Sequence, residues 1–361
     1  MLCRRNDGLT PTRSKRGSNH ERVDSGAAFS GTYASLGHPA DLDDRHRQGV
    51  RGVSHTGHWA FDIHQHVPLP IVHPVKFISE RTERRPLACP VIFRVLTSEA
   101  ELLEAARLRY LAYDIHVPYK NTQGLEFDEY DKYSIPMGGF AVENGVPRLV
   151  SFLRLVTREL QPRYAQFVRN LVRTHGAEAL RAAVEREPLS PFPSSTEVLG
   201  QPRRYPASAK RIIQEFNASD DTCELSRTIS HADYRGLDLS RKVMEFGIML
   251  CLERGLYHAI GSNDPRLTPM YNKYGYVTLP EVPRIDNRSV ECVSDVVFSD
   301  FRQLPSKTDE NVRRITAKYA RDRYFCICPQ TGCHTQDHPL DGGPECPRTR
   351  LPVYQPSAVY P

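Results

Sequence analysis

One stretch, residues 223–276, constrains the fold more than any other part of the chain. It begins with an alternating run, Glu224 to Ser230, which predicts a β-strand. A polar turn containing Arg235 and Gly236 follows. Apolar residues then recur at helical intervals: Leu239, Val243, Phe246, Ile248, Met249 and Leu252. Because a strand that leads through a basic, glycine-containing turn into a helix presents unpaired N–H groups, the stretch predicts an anion-binding turn.

Three further short motifs stand in a fixed order with this turn. They are LEFDEYD at Leu125–Asp131, SFLRL at Ser151–Leu155 and ELSR at Glu224–Arg227. Together they resemble the signature acidic and basic positions of acyl-homoserine-lactone synthases and the related N-acyl amino acid synthases, within the Gcn5-related N-acyltransferase superfamily. The resemblance covers roughly residues 91–300.

This resemblance implies an α+β fold, the Gcn5-related N-acyltransferase fold. Its sheet is mixed, mostly antiparallel, splayed in the middle and flanked by helices. It also implies an N-acyltransferase that moves a long acyl group from acyl-carrier protein or acyl-CoA to the amine of an amino acid or similar small molecule. These thioesters are expected as co-substrates, with no tightly bound cofactor.

The resemblance assigns roles to five charged residues. Asp128 and Asp131 are expected to orient the amine, with Arg154 and Arg227 supporting them, and Glu224 is the candidate general base. Two simpler alternatives remain open. The loop that carries the aspartates is equally typical of a solvated acidic loop, and Glu224 with Arg227 is equally typical of a structural ion pair.

Strand alternation predicts which way the side chains of the motif Glu224–Arg227 point. It places Glu224 and Ser226 on one face of the strand and Leu225 and Arg227 on the other, unless a β-bulge intervenes. The fold that the motifs resemble commonly has a bulge in this strand.

On the donor side, the resemblance implies a phosphate-binding turn and an acid for the departing thiol. Tyr271 is the expected acid, although Tyr274 and Tyr276 compete for the role. The turn departs from the family pattern Arg/Gln-x-x-Gly-x-Gly/Ala, which often has small residues after its first glycine. The residues expected to hold the donor are Arg235, Gly236, Leu237, Asp238, Leu239 and Ser240.

The rest of the chain divides by composition. Residues 1–88 lack periodicity, hold most of the net charge of +5, and are typical of a disordered arm. Residues 89–300 form the predicted acyltransferase domain, and residues 301–361 a helix and a Cys/Pro-rich tail. An insertion at about 157–222 predicts one helix over Arg163–Glu187, a Pro/Ser-rich loop, and a short helix over Ala207–Phe216.

Within this insertion, one basic run attracts attention. Most such runs are solvated surface, but an acidic acyl-carrier protein would be attracted to a basic patch near the acyl entrance. The patch consists of Arg203, Arg204, Lys210 and Arg211.

Cysteine and histidine usage allows two metal hypotheses. Cys326, Cys328, Cys333 and Cys346 could supply four zinc ligands, although a thiol-bearing tail is the preferred interpretation. Histidines of the arm, such as those at 64 and 66, offer a weaker case. Nine cysteines, an odd number, and the lack of an apolar run near the amino terminus favour a reducing, cytoplasmic location without a membrane span.

Two alternative functions remain. One is an ordinary acetyl-CoA-dependent N-acetyltransferase acting on a protein or polyamine. The other is a non-catalytic, nucleic-acid-binding or regulatory protein that uses the basic arm and a zinc-binding tail. We do not expect nucleic acid as a partner, because the charge outside the arm is nearly balanced.

Overall fold

The sheet is the framework on which every other element is placed. A computed structural model describes residues 88–114, 123–143, 146–176, 178–201, 203–287 and 292–327. Its strands are β1 (Val91–Val95), β2 (Ser134–Glu143), β3 (Val146–Val156), β4 (Thr222–Ser230), β5 (His258–Asn263), β6 (Val277–Thr278), β7 (Ile285–Asn287), β8 (Cys292–Asp300) and β9 (Phe325–Ile327). They are ordered β6-β8-β5-β4-β3-β2-β1-β9, and β7 pairs separately with β8.

Eight helices accompany the strands in the described part of the chain. They are α1 (Glu99–Asp114), α2 (Pro162–His175), α3 (Glu178–Glu185), α4 (Pro193–Leu199), α5 (Ala207–Ala218), α6 (Leu239–Glu253), α7 (Thr268–Tyr271) and α8 (Ser306–Asp322). Short 3₁₀ turns connect several of them. No helix among these residues is both long and apolar enough to cross a membrane.

The sheet is split between β4 and β5. These two strands are parallel, whereas the other neighbouring pairs are antiparallel. Their pairing covers only Thr222, Cys223 and Glu224 of β4, although β4 continues to Ser230. Beyond Glu224 the two strands therefore separate. A mixed, mostly antiparallel sheet that parts in the middle and is flanked by helices confirms the predicted fold class.

A β-bulge interrupts β4 where Arg227 lies. Arg154 of β3 is opposite Ser226, but Phe152, two residues earlier in β3, is opposite Ile229, so β4 contains one extra residue. Arg227 has a φ of 59°, in the left-handed region that non-glycine residues seldom adopt. One extra residue reverses which face the following side chains occupy. The β-bulge that is common in this strand of the predicted fold is therefore present in β4.

The two faces of the sheet have different apolar neighbours. On one face, α6 packs against Leu153 and Leu225, so closely that a Cβ on Gly247 would lie 2.5 Å from the Leu153 side chain. On the other face, α1 and α2 cover Phe152 and Ile229. The insertion helices α4 and α5 cover Val156, together with residues of β5 and β8. The insertion thus continues the helical layer on this face beyond the point where β4 and β5 separate.

The insertion differs from the predicted pattern in two ways. The single helix predicted over 163–187 is two helices, because α2 ends at His175, with Gly176 as its C-cap, and α3 begins at Glu178. The Pro/Ser-rich loop that we expected contains α4. Pro193 stands at the first helical position, where its missing N–H costs nothing, and this is a helix-start signal. The predicted helix over 207–216 is present as α5.

The described residues after 300 join the same sheet. The helix α8 packs on α6, and β9 pairs with β1 at the sheet edge. Cys326 lies in this edge strand. The other three cysteines proposed as zinc ligands, and the whole arm with its histidines, lie outside the described residues. Among the described residues, no group of three or more His, Cys, Asp or Glu side chains is arranged so that it could hold a metal ion.

Candidate active site

Three arginines and three carboxylates form a cluster on the face covered by α1. Arg109 comes from α1, Arg154 from β3 and Arg227 from the bulge of β4. The loop that leads into β2 supplies the carboxylates: Glu126, Asp128 and Asp131. The cluster therefore joins four segments that are distant in sequence. Equal numbers of opposite charges leave it formally neutral.

Arg154 is the centre of this charge cluster, and it is fully buried. Its Nη1 and Nη2 donate to the two oxygens of Asp128 at 2.6 and 2.8 Å, and Nη1 also donates to Asp131 Oδ1 at 2.9 Å. Its Nε donates to Ser226 Oγ at 2.9 Å. All three guanidinium nitrogens thus have acceptors. Such bidentate geometry fixes a carboxylate in orientation as well as in charge.

Arg109, which the sequence analysis missed, is also fully buried. Its Nε contacts Glu126 Oε2, and its Nη1 donates to Asp131 Oδ1 at 2.6 Å. Its guanidinium lies 5.7 Å from the ring centroid of Phe152. The signal for Arg109 was its place in the helix, seven residues after Leu102 on the buried stripe. A charged residue on an apolar stripe needs a buried partner.

The bulge explains how Arg227 reaches this cluster. Strict alternation would direct its side chain to the α6 face, beside Leu225. Instead its Nε donates to Glu126 Oε1 at 3.1 Å and its Nη2 to Asp128 Oδ2 at 3.1 Å. The ion pair considered between Arg227 and Glu224 is therefore replaced by pairs with the loop carboxylates.

Two of the loop carboxylates, Glu126 and Asp128, are held in their ionised forms. Burial alone would raise the pKa of Asp128, but Arg154 and Arg227 bring that pKa well below its usual range. Burial likewise opposes ionisation of Glu126, yet Arg109 and Arg227 lower its pKa. The loop is closed by Asp131 Oδ2, which accepts from the Asp128 backbone N at 2.8 Å. Side chains that ionise this readily are typical of a rigid framework at neutral pH.

Glu224 lies on the same face but in a different environment. Two residues before Ser226 in β4, it stands opposite Val156, and Ser226 stands opposite Arg154. Two residues of a strand span about 7 Å, so Glu224 lies next to the cluster. It is also the last residue at which β4 pairs with β5. The carboxylate therefore lies where the sheet begins to split.

Ser194 of α4 binds both carboxylate oxygens of Glu224. Its backbone N donates to Oε2 at 2.9 Å, and its Oγ bonds to Oε1 at 2.9 Å. No lysine or arginine of the described ranges is placed in an ion pair with Glu224, which is only 2% exposed. Burial raises the pKa of Glu224 to about 7, although the Ser194 hydrogen bonds oppose this shift. A carboxylate that ionises near neutral pH is suited to proton transfer.

The turn between β4 and α6 contains two residues with left-handed backbone. Gly236 and Asp238 adopt φ values of 83° and 63°. Helical hydrogen bonding begins with the Lys242 N–H, which donates to the Asp238 carbonyl, so the preceding N–H groups lie outside the helical ladder. Arg235 is exposed, and Ser240 Oγ is 2.8 Å from Ser230 Oγ. Leu239, by contrast, is part of the core.

Two cations at the start of α6 are already neutralised. Positive charge at the amino-terminal end of a helix opposes the helix dipole, so a cation there needs a neighbouring negative charge. Arg241 pairs with Asp238 at 2.7 Å, and the buried Lys242 pairs with Glu245 at 2.9 Å. Asn311 of α8 also donates to Glu245. The local charge conflict is resolved within the protein.

The three candidate tyrosines differ in burial. Tyr274 and Tyr276 are 2% and 1% exposed, and burial raises the pKa of both hydroxyls far above the usual range. Tyr271, at the end of α7, is only partly buried and packs edge-to-face on Tyr276 with ring centroids 5.5 Å apart. Among the three, Tyr271 alone remains partly accessible.

The basic residues of the insertion lie at the surface around the start of α5. Arg203, Arg204 and Arg211 are exposed, and Lys210 is half-buried. Arg211 lies 3.7 Å from Glu215 on the same helix. Positive charge of this kind is available to an acidic surface.

No protein-family model matches the chain, and no curated protein matches it. Several solved structures are similar to it. One is a CoA-dependent acyl-homoserine lactone synthase, BjaI, with SAM and isopentyl-CoA, at 16% identity and a TM-score of 0.38, covering 63% of this chain and 90% of that one. Another is FeeM, an N-acyl amino acid synthase from uncultured soil microbes, at 12% identity and a TM-score of 0.39, covering 59% and 91%. The AHL synthase LasI matches at 13% identity and a TM-score of 0.36, covering 59% and 90%.

Proposed function

We propose that this chain is an N-acyltransferase that moves an acyl group from a thioester to the amine of a small molecule, such as an amino acid. One observation carries the proposal. Within the described ranges no lysine or arginine forms an ion pair with the buried Glu224; burial raises its pKa to about 7, and it lies where β4 and β5 part. The motif resemblance assigns the base of an acyl transfer to the same residue.

The chemistry requires three events. The amine loses a proton to Glu224, acting directly or through water, and its nitrogen then attacks the thioester carbonyl carbon. The C–S bond breaks, and the departing thiolate takes a proton, for which Tyr271 is the proposed donor. In the gap between the strands, β4 has backbone N–H groups with no partner from β5, and these are suited to polarise the carbonyl oxygen.

The charge cluster has a supporting role in this proposal. Asp128 and Asp131 are already bonded to Arg154, so they order the loop beside Glu224 and shape the amine site. Asp128 and Arg227 are its most exposed members, with 19% and 11% of their side-chain surfaces accessible. They are therefore the members best placed to meet a substrate.

The donor side rests on the turn and on the basic patch. In the proposal, the pantetheine phosphate lies against the backbone N–H groups of 236–240 with Arg235 beside it. The acyl chain is long, and the donor is acyl-carrier protein or acyl-CoA. If a carrier protein is the donor, reversing the charges of Arg203, Arg204 and Arg211 to Glu raises the KM for acyl-carrier protein and leaves the KM for acyl-CoA unchanged.

The proposal is tested by incubating the protein with acyl thioesters of graded chain length and a panel of amines that includes amino acids and S-adenosylmethionine. Thiol release and mass spectrometry of the products are measured. We expect amine-dependent thiol release and an N-acyl product with long-chain donors. Turnover of acetyl-CoA alone would favour an ordinary acetyltransferase, and the absence of thiol release with every pair would overturn the proposal.

A further inference from the structure

Three consecutive hydroxyl side chains in the first turn of α4 each contact a different element. Ser194 bonds to Glu224 of β4, and Ser195 Oγ donates to Asn217 Oδ1 of α5 at 2.9 Å. Thr196 Oγ1 bonds to the hydroxyl of Tyr130, which lies in the loop between Asp128 and Asp131. Both serines are fully buried. This turn of the insertion therefore touches Glu224 and the charge-cluster loop at once.

The contact with Glu224 is a complete clamp. One residue supplies an N–H to one carboxylate oxygen and a hydroxyl to the other, both at 2.9 Å. Two such bonds fix the plane of the carboxylate as well as its position. Because both groups donate to the ionised form, they favour ionisation, whereas burial opposes it.

Other groups act on the same carboxylate from every neighbouring element. Arg154 and Arg227 favour its ionised form without contacting it. Tyr130, Cys223 and Tyr276 lie close enough for an ionised Glu224 to raise their pKa values further, so all three are neutral when Glu224 titrates. Ser194 is thus the residue whose hydrogen bonds meet the carboxylate directly.

We propose that Ser194 is a positioning residue: its N–H and hydroxyl hold the Glu224 carboxylate in place and favour the ionised form of that carboxylate. The insertion then contributes directly to the site through Ser194. Its helix α4 also contacts the loop of the charge cluster, because Thr196 bonds to Tyr130. The effect of Ser194 on the rate of acyl transfer rests on the proposed function, in which Glu224 is the base. The effect of Ser194 on the ionisation of Glu224 does not depend on that function.

The test measures the ionisation of Glu224 by NMR in the full chain. Carboxyl signals of ¹³C-labelled glutamates are titrated, and Glu224 is assigned by the signal lost in Glu224→Gln. In Ser194→Ala, which keeps the backbone N–H and removes the hydroxyl, we expect the pKa of Glu224 to rise by about one unit. The matched control is Ser195→Ala, on the same turn and equally buried, which we expect to leave it unchanged.

A second measurement uses the wild-type chain and needs no variant to fold. The amide proton of Ser194 donates to the carboxylate, so its chemical shift follows the Glu224 titration with the same midpoint, whereas the Ser195 amide does not. An unshifted Glu224 in Ser194→Ala, equal shifts in both alanine variants, or a Ser194 amide that ignores the titration would each overturn the proposal.

Activity separates this inference from the proposed function. If acyl transfer occurs, the acid limb of kcat/KM moves in Ser194→Ala by the same amount as the NMR titration, and it stays in place in Ser195→Ala. A raised pKa of Glu224 in Ser194→Ala, with no acyl transfer by any variant, would support the role of Ser194 and refute the proposed function. Glu224-dependent transfer with an unmoved pH profile refutes the role of Ser194 alone.

Discussion

Two carboxylate environments lie side by side on one face of this sheet. In the charge cluster, Asp128 accepts four hydrogen bonds from Arg154, Arg227 and the backbone of Tyr130. Next to it, Glu224 accepts bonds from the neutral Ser194, the one hydrogen-bond donor that the described part of the chain places on it. Glu224 is buried and Asp128 is partly buried, yet the pKa of Asp128 is lowered and that of Glu224 is raised.

The comparison shows that burial alone does not decide the state of a carboxylate. Burial is the largest influence on both groups, and it opposes ionisation in both. Arg154 and Arg227 reverse the effect of burial on the pKa of Asp128. The N–H and hydroxyl of Ser194 only moderate the effect of burial on the pKa of Glu224. An ionised loop carboxylate and a titratable strand carboxylate therefore lie side by side on one face of the sheet, which is an arrangement suited to acid–base chemistry.

The largest expected effect tests the framework. Arg154→Ala leaves Asp128 without its bidentate buried cation and removes one of the two arginines that contact Asp131, and we expect it to lower the free energy of unfolding by about 3–5 kcal/mol in urea titrations. Arg227→Ala is the control, because Glu126 and Asp128 keep Arg109 and Arg154, and about 1–2 kcal/mol is expected there. Equal losses in the two variants would contradict a cluster centred on Arg154.

The next prediction concerns the pH dependence of stability at Glu224. Its pKa in the folded chain, about 7, exceeds the ordinary value of 4.5, so the folded state binds the proton more tightly. The resulting stabilisation is complete below pH 4.5 and is lost as the pH rises through 7. Because glutamine cannot ionise, we expect Glu224→Gln to be more stable than the wild type by about 2–3 kcal/mol at pH 8.

At pH 4.5 the same pair should unfold with nearly equal free energies. Glu185→Gln, an exposed substitution on α3, serves as the control and should follow the wild type at both pH values. A Glu224→Gln chain that is destabilised equally at pH 4.5 and 8 would show that Glu224 is not a buried group with a raised pKa.

The smallest effect is expected at the turn. Gly236 has a φ of 83°, and an alanine there costs about 1 kcal/mol of stability. If the turn holds the donor phosphate, the KM for the thioester rises several-fold as well. Gly255→Ala is matched in strain, with a φ of 71° at the other end of α6, and should leave KM unchanged. An equal KM for the thioester in Gly236→Ala and Gly255→Ala would show that the turn does not bind the donor.

Sequence alone predicted the fold and brought together much of the candidate site. The resemblance of the short motifs predicted that Asp128, Asp131, Arg154 and Arg227 lie close to one another, and they do. For Arg227 this depended on the bulge, since plain alternation would have placed it on the other face. The catalytic role of Glu224 stays a prediction.

The residues that sequence missed share a physical reason. Ser194 bonds to a residue thirty positions away, and the contact depends on how the insertion packs over the split. The short α4 was hidden in a Pro/Ser-rich segment, where composition indicates a loop. Arg109 lies seven residues after Leu102 on the buried stripe of α1, but a single arginine in a helical pattern does not show which carboxylates it will meet. Tertiary contacts of this kind leave only a weak trace in local sequence.

The most direct test of the account compares N-acyl product formation by the wild type and by Glu224→Gln at pH 8, with a long-chain acyl thioester and an amino acid. Glu185→Gln is carried as the control. We predict product from the wild type and the control, and a rate lower by about 10²-fold or more in Glu224→Gln, the usual effect of removing a general base. Equal rates in all three chains, or no N-acyl product from the wild type, would contradict it.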